Sequence, residues 1–424
     1  MTNHAIIAII IFLIVYGAII IEKVHKTLIS LLGICAFLFL HLIPFEESVS
    51  HIDMNVIFLL IGMMILVNIT HQSGVFEYIA LWSAKKVKAD PKKLLGILFV
   101  ITALFSAFLD NVTTVLLIGP VSLLIASQLK VDPRPFLLTE IFASNIGGTA
   151  TLIGDPPNIM IGSAANLTFI DFLINLGPLI LFQILLFMLI FIFIFRGKLR
   201  VSNIDRVRIM DIDEKKLIKD KLLLKKSLTV LAAVVIAFLF HGLLKVEASV
   251  VALCGSGVLA IWTKTEPEEV LKTIEWATIL FFIFLFMIVG GLVYTGVVKT
   301  TAEAILNHTA GNIRLTSGYI LWFTGIASGI LDNIPLVATF IPIIKLITAH
   351  SVASQVAPVW WSLALGACLG GNGTVIGASA NVIMIDFAKR NNIAINFLSF
   401  LKYSVPITLL SLFISYIYIM VFYF

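Results

Sequence analysis

The feature that most constrains this chain is a pair of polar, glycine-rich segments set in sequence that is otherwise apolar over membrane-spanning lengths. One segment lies within residues 94–161 and the other within residues 315–384. Acids, amides and unwound backbone are costly in hydrocarbon, so such residues must pack inside protein or line a cavity. Two such segments at corresponding places in the two halves of a membrane protein indicate a binding centre near the middle of the bilayer.

The composition is that of a polytopic helical membrane protein. Of its 424 residues, 60% are hydrophobic and 12% are charged, and the mean hydropathy is +1.08. Apolar runs reach about 20 residues, the length that crosses a hydrocarbon core of about 30 Å. The basic residues lie in short loops between these runs, which indicates membrane topology rather than nucleic acid binding. The first run lacks a cleavage site and is interpreted as a retained helix, not a signal peptide.

The apolar runs predict an all-α fold of ten transmembrane helices, two of them broken, and two re-entrant hairpins. The expected full spans are 4–21, 27–43, 54–70, 172–195, 227–243, 247–263, 277–294 and 404–423. The hairpins are expected at 92–128 and 316–347, the broken helices at 136–165 and 358–388, and short flanking helices after Gly74 and Gly296. Hairpin arms of about 15–17 residues are short for a crossing at about 1.5 Å per residue, which favours a re-entrant path.

This series of elements occurs twice, at an offset of 222 or 223 residues. Asp110 aligns with Asp332 at the first offset, and Asn158 aligns with Asn381 at the second. Because each half has five full spans, an odd number, the second half enters the membrane in the opposite orientation, as in an inverted repeat. The predicted divisions are a first repeat at 1–195, a charged cytoplasmic linker at 196–226 and a second repeat at 227–424.

Charge predicts that both termini lie outside. In that orientation 25 of the 29 basic residues fall in inner loops, and four remain outside: Lys245, Lys299, Arg314 and Lys345. This agrees with the positive-inside rule. The linker carries 11 basic and 5 acidic residues. It is interpreted as a solvated tether near anionic headgroups, with a regulatory domain as the alternative.

The chemistry is expected at the hairpin tips and the breaks. Each tip carries an Asp-Asn pair, and glycines let the broken helices unwind and free their carbonyl groups. One carboxylate with amide, hydroxyl and carbonyl oxygens suits Na⁺, and the same carboxylate can instead exchange a proton. The possible Na⁺ ligands are Asp110, Asn111, Asp332 and Asn333. The further substrate- or ion-binding candidates are Thr113, Thr114, Asn145, Gly147, Gly148, Thr149, Thr151, Gly154, Asp155, Asn158, Gly370, Gly371, Asn372, Thr374, Gly377 and Asn381.

Several of these acids have structural alternatives. Asp110 and Asp332 can serve as helix N-caps, alone or together with ion binding. Asp155 can be the N-cap of a helix with proline in its first turn. Glu140 is either a proton carrier or a buried, hydrogen-bonded packing residue. No Lys or Arg lies inside the hairpins and broken helices at mid-membrane depth, which favours a cation, a proton or a neutral solute.

The runs at 109–114, 145–158 and 332–335 resemble those of the ion transporter superfamily. The likeness is greatest to the branch of arsenite pumps and sodium/proton antiporters, including the subgroup of the melanosomal P protein. It implies a homodimeric elevator transporter in the cytoplasmic membrane, with a scaffold and a mobile domain that holds the hairpins and broken helices. The related dicarboxylate/sodium symporters carry Ser at the tips, where this chain has Asp110 and Asp332. Two added negative charges disfavour a dianion there.

The leading hypothesis is therefore a secondary transporter, not an enzyme, with H⁺ or Na⁺ as coupling ion and no other cofactor. It would exchange a cation or arsenite. The alternative is a Na⁺-coupled symporter for citrate or a dicarboxylate. An ion channel remains a second class, since broken helices also line pores. An intramembrane aspartyl protease is a third, which the Asp-Asn tips disfavour because such enzymes need a carboxylate dyad.

Overall fold

The computed structural model describes residues 2–21, 23–199, 201–349 and 353–424, and every regular element among them is helical. The first half contains α1 (Asn3–Ile21), α2 (Lys26–Phe39), α3 (Phe45–Ser50), α4 (Met54–His71), α5 (Val75–Lys86), α6 (Pro91–Phe108), α7 (Asn111–Leu129), α8 (Arg134–Gly148), α9 (Pro156–Ala165), α10 (Phe169–Asn175) and α11 (Gly177–Phe195). The linker contains α12 (Asn203–Asp211) and a 3₁₀ turn (Glu214–Leu217).

The second half repeats this order. It contains α13 (Lys221–Leu244), α14 (Ala248–Thr263), α15 (Pro267–Lys272), α16 (Trp276–Tyr294), α17 (Val297–Thr309), α18 (Ile313–Ser328), α19 (Asn333–Thr348), α20 (Ala353–Gly370), a 3₁₀ turn (Val375–Gly377), α21 (Ser379–Arg390) and α22 (Phe397–Phe422). The flanking helices α5 and α17 begin where expected. Gly74 and Gly296 precede them with left-handed φ angles of 81° and 82°, which glycine adopts without a steric penalty.

Eight helices of the described chain are long and apolar enough to cross a membrane: α1, α4, α6, α7, α11, α13, α16 and α22. Shorter apolar helices are α2, α14, α19 and residues 355–370 of α20. The prediction of an all-helical, multi-pass membrane protein is therefore confirmed. The count of ten spans, the opposite orientation of the halves and the outside position of the termini stay predictions.

The arms of the first hairpin are longer than expected. Helices α6 and α7 have 18 and 19 residues, about 27–28 Å at 1.5 Å per residue, so their length alone does not distinguish a hairpin from two spans. Helices α18 and α19 have 16 residues each. In each pair the chain turns within four residues or fewer, and both arms pack on the next helix, α8 or α20. Each pair is therefore a helical hairpin packed on one neighbour, and its re-entrant path stays a prediction.

Several helix boundaries differ from the prediction, and at two of them a local cap was missed. Residues 169–175 form the separate helix α10, closed by a capping box between Thr168 and Asp171, so the next helix begins at Gly177 rather than at 172. Helix α13 begins six residues early, because the Asp220 carboxylate accepts hydrogen bonds from the Leu222 and Leu223 N–H groups at 2.7 and 3.1 Å. Helix α22 begins at 397 rather than at 404.

The linker does not lie free, which differs from the expected solvated tether. The Lys85 ammonium on α5 is 2.6 Å from the Glu214 carboxylate, and the Arg206 guanidinium on α12 is 3.1 Å from the Asp90 carboxylate that caps α6. Exposed ion pairs contribute little stability each. Their positions nonetheless show that the linker packs against α5 and the start of the first hairpin.

Close backbone contacts join each hairpin to the helix that is broken after it. A Cβ added at Gly147 of α8 would lie 2.1 Å from the Ala103 carbonyl oxygen of α6. At the corresponding place in the second half, a Cβ at Gly370 of α20 would lie 2.3 Å from the Gly325 carbonyl oxygen of α18. Small residues let helices approach closely in a membrane, where van der Waals packing replaces the hydrophobic effect.

This contact predicts the effect of adding one methyl group. We expect Gly147→Ala and Gly370→Ala each to lower the stability of the native protein by about 1–3 kcal/mol, since backbone must move to admit the Cβ. The measurement is thermal unfolding of the purified protein in detergent. Gly257→Ala is the matched control, because Gly257 is exposed on α14 with no atom within 4 Å of an added Cβ. Equal melting temperatures for all three variants would contradict the close packing.

Candidate functional site

The two hairpin tips have equivalent caps. The Asp110 carboxylate accepts a hydrogen bond from the Thr113 N–H of α7 at 2.8 Å, and a second, short one from the Thr113 hydroxyl. The Asp332 carboxylate accepts from the Ile334 N–H of α19 at 3.1 Å. Both aspartates are half-buried. Capping is thus part of what these two residues do, as the sequence suggested.

The helix breaks fall where the sequence placed them, and an asparagine holds each one. Residues 149–155 separate α8 from α9, and Asn158 donates from its amide to the carbonyl oxygens of Gly148, Thr149 and Thr151 at 3.3, 3.2 and 2.9 Å. In the second half Asn381 donates to Gly371 and Thr374 at 2.7 and 2.8 Å. These bonds satisfy carbonyl groups that a buried, non-helical backbone leaves unpaired.

The predicted glycines allow the two sides of each break to touch. A Cβ at Gly148 would lie 2.5 Å from the Gly154 carbonyl oxygen, and a Cβ at Gly377 would lie 2.6 Å from the Gly371 carbonyl oxygen. Each broken helix therefore closes into a compact loop that a larger residue would open.

A chain of buried amides joins the two halves. The Asn111 amide at the first tip donates to the Asn145 amide oxygen of α8 at 3.2 Å. Asn145 in turn donates to the amide oxygens of Asn372 and Asn381 in the second half, at 2.9 and 2.8 Å. From the other side, the Cys368 thiol donates to the Asn158 amide oxygen at 3.4 Å. The first hairpin and both breaks thus form one hydrogen-bonded centre.

Asp155 lies fully buried within this centre. It occupies the N-cap position of α9, but its side chain makes no capping hydrogen bond. Both carboxylate oxygens instead accept from the Asn333 amide of the second hairpin tip, at 3.3 and 3.2 Å. Within the described residues no cationic side chain pairs with Asp155, while Asp110 and Asp332 lie within its electrostatic range. Asp155 thus stands at the N-cap position with proline in the first turn, as the sequence suggested, but its carboxylate bonds to the second tip and not to the free N–H groups of α9.

The predicted threonines divide into bonded and unpartnered groups. Thr149 and Thr151 donate to the carbonyl oxygens of Asn145, at 2.7 Å, and of Ala107. The hydroxyl groups of Thr114 and Thr374, and the amide nitrogen of Asn372, are buried with no hydrogen-bond partner among the described residues. A buried polar atom left unpaired is costly, so these three atoms are the ones available to a ligand or to water.

Glu140 lies fully buried on α8, one turn before Asn145. The Ser122 hydroxyl of α7 donates a short hydrogen bond to Oε1, while Oε2 has no partner in the described part of the chain. A carboxylate in this setting is satisfied on one oxygen only. This is compatible with both alternatives for Glu140, a proton carrier and a buried packing residue.

A base reaches the site from outside the predicted elements. The Lys26 ammonium, on the first residue of α2, is 2.8 Å from the Asp332 carboxylate and 2.8 Å from the Ser379 hydroxyl at the start of α21. The absence of basic residues holds for the hairpins and broken helices, but it does not extend to α2, whose first residue brings a positive charge to the second tip. Lys26 was placed among the inner-loop residues that indicate orientation.

Three further groups were missed by sequence reasoning. Ser379 also donates to Asp332, at 3.2 Å, and Glu275 lies within electrostatic range of Asp110 and Lys26. The Tyr16 and Thr339 hydroxyl groups, 3.0 Å apart, connect α1 to α19. No local pattern announces these contacts. The repeat offers one hint, since Ser379 aligns with Pro156 and thus marks a difference between the breaks.

The acids do not converge on one point. Within the described ranges no three acidic, histidine or cysteine side chains come close enough to hold one metal ion. A hard-ion site here therefore needs one carboxylate with amide, hydroxyl and carbonyl oxygens. A separate cavity of about 420 Å³ lies between α9, the start of α4 and the α13–α14 turn, and is lined by Asn55, Asn166 and His241 among others.

Relatives of similar length are bacterial membrane proteins. The chain is 43% identical over 426 residues to an uncharacterized transporter of Mycobacterium tuberculosis, with 99% of both chains covered. It is 42% identical over 420 residues to a 46 kDa membrane protein of Mycobacterium leprae, with 98% of both covered. These bacterial relatives imply the plasma membrane as the location.

Two other likenesses are more distant. The chain is 31% identical over 490 residues to the human P protein, covering 96% of this chain and 58% of that protein. The crystal structure of the YdaH transporter from Alcanivorax borkumensis superposes with a TM-score of 0.57 at 12% identity, covering 99% of this chain and 98% of that one. At this identity the likeness shows the fold alone.

The family assignment follows from a match over most of the chain. Transporter-named relatives along the whole length indicate a membrane transporter rather than an enzyme. The family model described as "Citrate transporter" matches residues 16–366. The chain therefore belongs to the CitMHS citrate transporter family.

Proposed function

We propose that this chain is a secondary active transporter that uses H⁺ or Na⁺ as coupling ion and works by an elevator motion. The observation that carries the proposal is Asp155, a fully buried carboxylate that accepts from the Asn333 amide, lies beside the Cys368 thiol and pairs with no cationic side chain within the described residues. A charge isolated from water in this way is costly. A proton or a bound cation removes that cost, so occupancy of the site and its burial are linked.

The coupling ion is proposed to bind at a carboxylate of this centre, together with neighbouring amide and hydroxyl oxygens. Asp155 faces the second tip, while Asp110 and Asp332 lie within its electrostatic range. The unpartnered hydroxyl groups of Thr114 and Thr374 supply further oxygens that Na⁺ favours. A proton needs only the carboxylate, so both ions compete for one site.

The moving unit is proposed to consist of both hairpins and both broken helices. The amides of Asn145, Asn372 and Asn381 and the close contacts at Gly147 and Gly370 tie these elements together. The remaining spans, with α2 packed on α16 and α4 packed on α14, form the proposed scaffold. Ten spans in an inverted repeat, termini outside and a homodimer belong to the same proposal.

The cargo has two candidate classes. A cation or arsenite exchanged for the coupling ion agrees with the carboxylates and with the likeness to arsenite pumps and sodium/proton antiporters. A citrate-like carboxylate is the second class, favoured by the family description and by the Lys26 ammonium in the site. The aspartates repel a polyanion and Lys26 attracts it, so each cargo class has support, and the transport assay described below separates them.

Removing the charge of Asp155 tests the proposal directly. We expect Asp155→Asn to abolish coupled transport in proteoliposomes while the protein still folds, because an amide keeps the shape and cannot release a proton or balance Na⁺. Transport driven by a pH or Na⁺ gradient is the measurement. Asp386→Asn is the control, since Asp386 is an exposed acid paired with Arg390 on α21. Normal coupled transport by Asp155→Asn would remove the basis of the proposal.

A cargo panel separates the two classes. Purified protein is reconstituted, and solute uptake and current are both recorded with citrate, succinate, arsenite or Na⁺ alone, under imposed Na⁺ and pH gradients. Exchange predicts that Na⁺ or arsenite moves in the direction opposite to the proton flow, without any carboxylate. Carboxylate symport predicts no current until citrate or succinate is added. Flux that is unsaturable and independent of a counter-ion gradient would point to a channel.

Glu140 has its own prediction. If it carries the proton, Glu140→Gln should flatten the pH dependence of transport, because glutamine keeps the Ser122 hydrogen bond but does not titrate. The measurement is the transport rate between pH 5.5 and about 9, compared with Glu303→Gln on the exposed face of α17. An unchanged pH profile with a lower melting temperature would make Glu140 a packing residue.

A further inference from the structure

The Lys26 ammonium contacts three elements at once. Its Nζ atom lies 2.8 Å from Oδ2 of Asp332 at the second tip, 2.8 Å from the Ser379 hydroxyl of α21 and 4.8 Å from the centre of the Phe281 ring of α16. An ammonium on an aromatic face and beside a carboxylate is held by two electrostatic attractions. Its position between the Asp332 and Ser379 oxygens is one that a bound cation would take.

The backbone of Lys26, at the start of α2, belongs to the proposed scaffold. Next to Lys26, the Thr27 hydroxyl donates to the Ala277 carbonyl oxygen of α16 at 2.6 Å, which fixes the start of α2 to that helix. Asp332 and Ser379 belong to the proposed moving unit. A lysine side chain spans only about 6 Å, roughly the length of four residues of helix rise. If the hairpin slides by more than the length of this side chain, the ion pair between Lys26 and Asp332 therefore breaks.

The pair also lacks a counterpart in the other half. At the repeat offset Lys26 aligns with Ala248, although both residues begin their helices, α2 and α14. Asp110, which aligns with Asp332, is bonded to Thr113 of its own hairpin and has no ion pair among the described residues. The two tips are thus chemically unequal, and only the second is occupied by a tethered cation.

The surroundings make the ammonium and the carboxylate depend on each other. The positive end of the α2 dipole disfavours a cation at its first residue, and the Asp332 side chain is 10% exposed. Glu275 lies within range of Lys26, and Tyr16 and Asp155 lie within range of Asp332. Separating the pair without replacing the cation leaves a largely buried carboxylate unbalanced, which is unfavourable.

We propose that Lys26 is a tethered cation that competes with the coupling ion for Asp332 and Ser379. The ammonium holds the unloaded second tip to the scaffold, and a proton or Na⁺ at Asp332 releases it. Ion binding and freedom of the hairpin to slide are thereby linked through one side chain. This inference rests on the proposed function.

The test is a cation titration of the purified full-length protein, with thermal stabilisation as the readout. Na⁺ is varied against choline at constant pH, and pH is varied without Na⁺. We expect Lys26→Gln to require about tenfold less cation for half-maximal stabilisation, since a charge-assisted competitor is lost. Lys26→Arg keeps a tethered cation and should stay closer to wild type. Lys23→Gln, an exposed charge three residues away, should not shift either midpoint.

A measurement on the wild-type protein guards against a folding defect. Amine-reactive labelling followed by mass spectrometry should show Lys26 protected without Na⁺ at high pH, and labelled faster when Na⁺ is added, while Lys23 is unaffected. If Lys26→Gln shifts neither midpoint, or Lys26 labelling ignores Na⁺, the competition does not occur. When Asp155→Asn still abolishes transport in that case, the proposed function stands and only the role of Lys26 falls.

Discussion

The structure depends on pairing polar groups that lie far from water. Unwound backbone in a membrane interior is stable only where each carbonyl and amide finds a partner in the protein. Asn158 and Asn381 supply those partners within each break, and Asn145 then bonds across to the other half. Because Asn145 of the first broken helix donates to Asn381, the residue that holds the second break, the two broken helices are joined through buried side chains. That link supports the proposal that the hairpins and breaks move as one body.

The balance of charge follows from the same constraint. Once the amides are used to hold the backbone, the carboxylates have few partners left: Asp110 takes a threonine, Asp155 an amide, and Asp332 an ammonium. These three solutions differ in how much charge they neutralise, since only Lys26 supplies a full positive charge. The site is therefore short of positive charge when it is empty, which is the condition under which a coupling cation binds most favourably.

Sequence reasoning found what local chemistry determines. Gly74 and Gly296 mark the starts of the flanking helices because the backbone at both positions is left-handed, which glycine permits. The breaks lie at glycine and proline because these residues interrupt helices. It could not find pairs made by tertiary packing. Lys26 and Asp332 are 306 positions apart and Asn333 and Asp155 are 178 apart, and no periodicity links such positions. Lys26 lies on α2, outside the hairpins and broken helices whose polar residues mark the site in the sequence.

Duplication explains the remaining pattern. The hydrogen bond from Ser106 to the Ser144 carbonyl has its equivalent between Ser328 and Ala367, so the backbone frame is shared by both halves. The chemical groups are not shared: Asp155 aligns with Ala378, and Lys26 aligns with Ala248. Asp110 and Asp332 keep the symmetry, while Asp155 and Lys26 have no counterpart in the other half. The transport chemistry is therefore assigned to a symmetric pair of tip aspartates and to two groups that make the halves unequal.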